Sequence, residues 1–365
     1  MSHRIKVLIV DDSVVVRRML VSILEAEPQL EIVGWAGSGL SALQKLSLLD
    51  PDLVLLDVMM PDMDGIKTVR RMRLTHPTMP VIMCSSLTES GADVTLRALA
   101  AGATDHVAKP GPGDDELETF KKELVGKVLA LGNATQAPPP EDSVEVDVTL
   151  APPPPVAMRP AVIQAVAIGC STGGPNALAD VFGRLPGDLP VPIFIVQHMP
   201  TLFTKILADR LTASSRVQVV EAAHGMPVEP GRAYMAPGDY HLKLGRANGR
   251  VVTLTTQDAP EHSCRPAVDV LFRSLARFYR DGVLACVLTG MGRDGASGAQ
   301  ELVRAGSKVL AQSAETCVIP SMPAAIIEAR LADKVLHLGG IADEIVARVR
   351  RSHGGAERLR AQGER

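Results

Sequence analysis

Apolar residues fall along this chain in short runs separated by helix-length amphipathic stretches, and the pattern occurs twice. Residues 5–10, Ile-Lys-Val-Leu-Ile-Val, form a nearly continuous apolar run, followed by the helical spacing of Val16, Leu20, Ile23 and Leu24. Further runs lie at 30–35, 53–56, 80–84 and 103–107. Short apolar runs alternating with amphipathic helices read as buried parallel strands and their crossovers. The first third therefore predicts a doubly wound (βα)5 α/β unit with a parallel five-stranded sheet. A second rhythm begins at Val162, with strands expected at about 164–169, 191–197, 217–221, 283–289 and 307–311. It predicts another α/β domain with a mainly parallel sheet.

Between the two rhythms, residues 132–161 carry eight prolines from 138 to 160 and few large apolar side chains. Such a segment cannot bury a core and reads as an extended, semi-rigid spacer. The expected divisions are a first domain over 1–131, a linker over 132–161, a second domain over 162–351 and a polar, disordered tail over 352–365.

Composition narrows the function. With 46% hydrophobic residues, 22% charged residues and a net charge of −3 over 365 residues, both domains can pack cores, but no global basic field attracts nucleic acid. No basic helix-turn-helix pattern stands in 162–350, so a receiver-plus-DNA-binding reading lacks its output motif. The five cysteines, Cys84, Cys170, Cys264, Cys286 and Cys317, lack zinc-type spacing and read as small core residues in a reducing compartment. No apolar run approaches the roughly 18 residues of a membrane span, and no secretory h-region opens the chain. A cytoplasmic protein without direct membrane insertion is expected.

In doubly wound sheets, functional groups gather beyond the carboxyl ends of the strands. In the first domain this rule collects Asp11 and Asp12 after the first strand, Asp57 after the third, Ser85 after the fourth and Lys109 after the fifth. Three converging carboxylates repel unless a cation lies among them, and Mg²⁺ suits carboxylate, water and phosphate oxygens. An aspartate there can attack a phosphoryl donor, with Lys109 balancing charge and Ser85 donating to a phosphoryl oxygen. Any one of these aspartates alone reads better as a helix cap; the five together do not.

These residues, with Met59-Met-Pro-Asp-Met-Asp-Gly65, resemble response-regulator receiver domains over about residues 4–125. The resemblance implies that Asp57 accepts the phosphoryl group from a histidine kinase, and that Asp12, Asp57 and the Met59 carbonyl hold Mg²⁺ with Asp11 assisting. It also implies that Ser85 and Lys109 form the switch. His106 stands where receivers often carry an aromatic residue.

In the second domain, Gly169-Cys-Ser-Thr-Gly173 fits G-x-S-x-G, a strand-to-helix turn that lifts a serine clear of a sheet. Small-residue turns are common without catalysis, so Ser171 gains weight only from partners. Gln197-His198-Met199-Pro200 follows one expected strand, and Gly290-Met-Gly-Arg-Asp294-Gly295 follows another. Serine, histidine and aspartate at neighbouring strand ends suit acyl transfer, the imidazole taking the hydroxyl proton and the carboxylate fixing the imidazole. An α/β-hydrolase orders its acid before its histidine, so the turn motif does not assign that fold.

These phrases, with Ala236-Pro-Gly238, Arg265-Pro-Ala-Val-Asp-Val-Leu-Phe272 and Leu288 to Ala296, resemble the chemotaxis protein-glutamate methylesterase (CheB) family, over about residues 4–350 in all. The resemblance implies hydrolysis of glutamate γ-methyl esters on methylated chemoreceptors with release of methanol, and deamidation of receptor glutamines. It implies Ser171 as nucleophile, His198 as base and then acid, Asp294 as its orienter, and Thr172 and the Met291 N–H as supporting and oxyanion-stabilising groups, with no cofactor for the ester chemistry. It further implies that an unphosphorylated receiver restrains the esterase. Cys264 stands where the family often has histidine, and Pro320-Ser-Met-Pro323 replaces a usual Gly-Met-Pro. A hydrolase of another ester is the competing enzymatic reading.

Overall fold

The computed structural model describes residues 4–86, 88–111, 113–136 and 162–363. These belong to two compact units that divide between residues 139 and 140.

The first unit runs β1 (Ile5–Val10), α1 (Val14–Glu25), β2 (Leu30–Ala36), α2 (Gly39–Leu49), β3 (Leu53–Asp57), α3 (Gly65–Thr75), β4 (Val81–Ser85), α4 (Glu89–Ala100), β5 (Asp105–Ala108) and α5 (Asp114–Gln136). All neighbouring strands pair in parallel in the order β2-β1-β3-β4-β5. Leu53, Val54, Leu55 and Leu56 are buried, as a central strand covered on both faces requires. Polar caps set where the helices start. Ser13, Ser38, Asp64 and Thr88 accept from the backbone N–H groups of Val16, Ser41, Lys67 and Gly91. The order reverses between β1 and β3, which opens a crevice at the ends that carry Asp11 and Asp57.

The second unit runs β6 (Ala165–Cys170), α6 (Gly174–Arg184), β7 (Ile193–Gln197), α7 (Phe203–Ser214), β8 (Gln218–Glu221), β9 (Arg232–Met235), β10 (His241–Ala247), β11 (Arg250–Thr256) and α8 (Val268–Tyr279). It continues with β12 (Val283–Val287), α9 (Ala296–Arg304), β13 (Lys308–Gln312), α10 (Ser321–Glu328), β14 (Lys334–Leu336) and α11 (Leu338–Gly363). Its sheet has seven parallel strands in the order β14-β13-β12-β6-β7-β9-β8, and β10 and β11 form a separate antiparallel hairpin. Phe194, Tyr234, Leu271, Phe272 and Leu275 fill the core between this sheet, α8 and the hairpin.

The five strands expected in each domain are present within a residue or two. Strands β9, β10, β11 and β14 were not expected; β14, of three residues, is too short to show a period. The hairpin had a signal: alternation over 241–247 and an Asn248-Gly249 turn with φ of 50° and 75° at its two residues.

Two boundaries are corrected. Helix α5 continues through Gln136, five residues into the expected linker, because Gly132 to Gln136 still follow a helix whose inward residues Val128 and Leu131 are buried. The expected disordered tail is helical through Gly363 as the end of α11. Ser352 Oγ accepts from Ile163 N (3.2 Å), and His353 Nε2 lies 2.9 Å from the Ile163 carbonyl, so the turn before Gly354 and Gly355 is anchored. Residues 137–161 of the linker lie outside the described residues.

Candidate functional site

Strands β12, β6 and β7 are adjacent, and their ends carry Asp294, Ser171 and His198 respectively. The chain leaves β6 through a tight turn. Gly173 has φ +78°, and a Cβ there would stand 2.6 Å from Val318 Cγ2, so only glycine fits this entry to α6. The backbone of Ser171 is held on both sides: its N–H donates to the Thr289 carbonyl (3.0 Å), and its carbonyl accepts from Gly174 N (2.8 Å) and Gln197 Nε2 (3.0 Å). Gly290 lets the β12 loop approach, since a Cβ there would lie 2.8 Å from Ser171 Cβ and would collide with Met322 Sδ.

His198 Nε2 and Asp294 Oδ2 are 2.8 Å apart. The carboxylate is buried and accepts three further backbone N–H groups, from Val268 (2.7 Å), Asp269 (2.9 Å) and Gly295 (2.9 Å), the first two at the start of α8. A helix N-terminus favours negative charge. Burial opposes ionisation of Asp294, but His198 and the amides of Asp269 and Val268 together hold its pKa below the usual value. Burial likewise opposes the imidazolium of His198, yet Asp294, with a contribution from Cys264, lifts its pKa above the ordinary 6.5. An ionised carboxylate only accepts, so Nε2 carries a proton, and in the neutral ring it is Nδ1 that keeps the lone pair. Cys264 Sγ lies 3.6 Å from that Nδ1.

Among the described residues, no hydrogen bond joins Ser171 Oγ to His198. Unliganded sites often hold such partners loosely, and Nδ1 is the nitrogen left to meet the hydroxyl. Thr172 Oγ1 is buried without a partner, and the Met291 N–H has no hydrogen bond among the described residues. Both stand on the loops that flank Ser171. Ser321, in the segment that departs from the usual Gly-Met-Pro, braces the Met291 loop: its Oγ accepts from Gly292 N (3.1 Å) and donates to the Gly290 carbonyl (3.1 Å).

In the first unit, Lys109 Nζ lies 2.8 Å from both Asp11 Oδ2 and Asp57 Oδ1. Carboxylate oxygens of Asp11, Asp12 and Asp57 lie within 4.8 Å of one another. Burial raises the Asp57 pKa, with Lys109 offsetting only part of the effect and Asp11 adding to it. Burial would lower the Lys109 pKa, but its bonds to Asp11 and Asp57 leave it raised. Ser85 Oγ is buried without a partner, while the Met59 side chain is exposed. His106 is buried on β5.

Sequence reasoning did not find Cys264 on His198, the brace by Ser321 or the part played by Gln197. It also missed His262 and Asp269 beside Asp294. Gln197 and Asp269 lie inside the phrases that carry the family resemblance, and Cys264 and Ser321 at its departures, but their contacts with Ser171, Asp294, His198 and Gly292, like that of His262 with Asp294, span 25 or more residues and no local pattern shows them.

The model of the CheB methylesterase family matches residues 166–345, and that of the response regulator receiver domain matches residues 7–120. A protein-glutamate methylesterase/protein-glutamine glutaminase of Trichodesmium erythraeum is 42% identical, covering 95% of this chain and 99% of that protein. One of the same name from a Nocardioides species is 45% identical over 95% of this chain and 96% of its own. A crystal structure of the Thermotoga maritima CheB methylesterase catalytic domain matches with a TM-score of 0.50 at 42% identity, covering 51% of this chain and 98% of that one. No described helix is long and apolar enough to cross a membrane.

Proposed function

The chain belongs to the CheB protein-glutamate methylesterase family and joins that domain to a response regulator receiver, and from this premise we propose that it hydrolyses glutamate γ-methyl esters on chemotaxis receptors. Ser171 Oγ attacks the ester carbonyl while His198 Nδ1 takes its proton. Asp294, fixed to Nε2, holds that tautomer and stabilises the imidazolium. The tetrahedral oxyanion lies against the Met291 N–H, with Thr172 supporting; a donor of this kind contributes about 3–4 kcal/mol in other enzymes. Collapse expels methanol, to which His198 returns the proton. A water activated by His198 then cleaves the acyl-enzyme and restores Ser171 and a glutamate carboxylate. A receptor glutamine passes through the same acyl-enzyme with loss of ammonia.

The observation that carries the reading is the 2.8 Å His198–Asp294 pair at strand ends flanking Ser171. The test is methanol release from methylated receptor membranes. Ser171→Ala should abolish it, and retained release would exclude a serine mechanism. A hydrolase of another ester would leave receptor methanol unreleased by the unaltered protein.

The receiver supplies regulation. Three hard carboxylate oxygens within 4.8 Å suit Mg²⁺, so Asp11, Asp12 and Asp57 with the Met59 carbonyl would hold it. That ion, when bound, neutralises charge on the transferring phosphoryl group. Asp57 is the phosphoacceptor, Lys109 pairs with the added charge and Ser85, whose hydroxyl is unpartnered, turns to a phosphoryl oxygen. A histidine kinase is the phosphodonor, and phosphorylation activates the esterase. The protein acts in the cytoplasm on methylated chemoreceptors and needs no nucleic acid.

A further inference from the structure

The loop before α8 brings a second histidine to the His198–Asp294 pair. His262 Nε2 lies 2.9 Å from Asp269 Oδ2 and 4.0 Å from Asp294 Oδ1. Asp269 is 1% exposed, and its other oxygen accepts from Gly298 N at the start of α9 (2.6 Å). The same residue's backbone N–H is one of the three amides on Asp294. A chain of hydrogen bonds therefore runs from His262 through Asp269 to Asp294 and His198.

The backbone is strained to place His262 there. His262 and Ser263 have φ of 53° and 60°, consecutive left-handed conformations in residues with side chains. Such strain persists only where the surroundings over-determine it, and they do here. Glu261 and Cys264 exchange two backbone hydrogen bonds, of 3.1 and 2.8 Å, and Arg273 pairs with the Glu261 carboxylate. Arg265 binds Asp239 (2.6 Å) and the carbonyls of Gln257 and Asp258. Asp269 and Asp294 are also two buried carboxylates in close proximity, an arrangement that needs a compensating donor. His262 is the side chain that supplies it to Asp269.

We propose that His262 and Asp269 form a second histidine–carboxylate pair that positions Asp294 against His198. The proposal rests on the reading of Ser171, His198 and Asp294 given above. His262 touches neither substrate nor reacting atoms and acts through Asp269. Either a neutral imidazole protonated at Nε2 or the imidazolium donates the same bond.

The test uses the full chain with His262→Ala and His262→Gln, glutamine placing an amide N–H close to where Nε2 stands. Two quantities are read: kcat and KM for methanol release, and the downfield proton NMR signal of the His198 Nε2–H in its bond to Asp294. His262→Ala should lower kcat roughly tenfold with KM unchanged, less than the ~100-fold that a 1 Å misplacement can cost, and should shift or broaden the downfield signal. His262→Gln should restore both. A general loss of folding would lower the active fraction without moving the signal of the molecules that remain folded, and that result counts against positioning. So does an alanine variant matching the unaltered protein in both readouts, or a glutamine variant no better than alanine. The NMR signal does not depend on esterase turnover, so an inactive unaltered protein would overturn the esterase reading while the signal still decides the role of His262.

Discussion

At the scale of single residues, the ring nitrogens of His198 decide the proposed chemistry. Nε2 is committed to Asp294, and Nδ1, the proposed base, faces Cys264. The base works only when neutral, so a raised His198 pKa places the acid limb of kcat/KM above the pH at which an ordinary imidazole would place it. Cys264 contributes to that elevation. Cys264→Ala should therefore lower the pKa and move the acid limb towards lower pH, which a pH–rate profile of methanol release reads directly. An unmoved limb would show that the thiol has no influence on the base. Asp294→Asn should cost about 10⁴ in kcat, as loss of the orienting carboxylate does in other serine hydrolases, measured at a pH where His198 is neutral in both proteins.

At the scale of elements, the turn from β6 into α6 holds the proposed nucleophile, Ser171. Gly173→Ala forces a side chain into a left-handed conformation, at a cost of about 1–2 kcal/mol, and against Val318. The variant should show a lower urea midpoint and a kcat loss beyond that of its unfolded fraction, because Ser171 is only two residues away. The loop after β12 became a candidate oxyanion site through the family resemblance of Leu288 to Ala296. Its brace was not legible in the sequence: Ser321 follows Met291 by 30 residues, and only the packing of α10 beside β12 brings the hydroxyl to Gly292 N.

At the scale of the whole molecule, two α/β units each place their candidate functional groups where the strand order reverses, one at β1 and β3 and the other at β12, β6 and β7. The proposed coupling between them is chemical and can be measured as such. Supplying a small-molecule acyl phosphate and Mg²⁺ should raise methanol release by the full chain, and Asp57→Asn should remove the increment. An increment that survives that substitution would locate phosphorylation elsewhere.

The alternation of apolar runs and amphipathic segments made both α/β units readable from sequence, the first as doubly wound and the second as an α/β domain with a mainly parallel sheet, because buried parallel strands must be apolar throughout. The ends of those strands then pointed to Asp11, Asp57, Ser85 and Lys109, and to Ser171, His198 and Asp294. Local pattern failed where an element is too short to show a period, as in β14, or where helix continuation depends on anchoring, as at Ser352 and His353. Tertiary structure alone decided which nitrogen of His198 meets Asp294, that Cys264 faces the other, and that His262 and Asp269 stand behind the carboxylate. Hydrogen bonds depend on positions within a few tenths of an ångström, and those are set by how α8 and its strained loop pack on the sheet, not by any spacing along the chain.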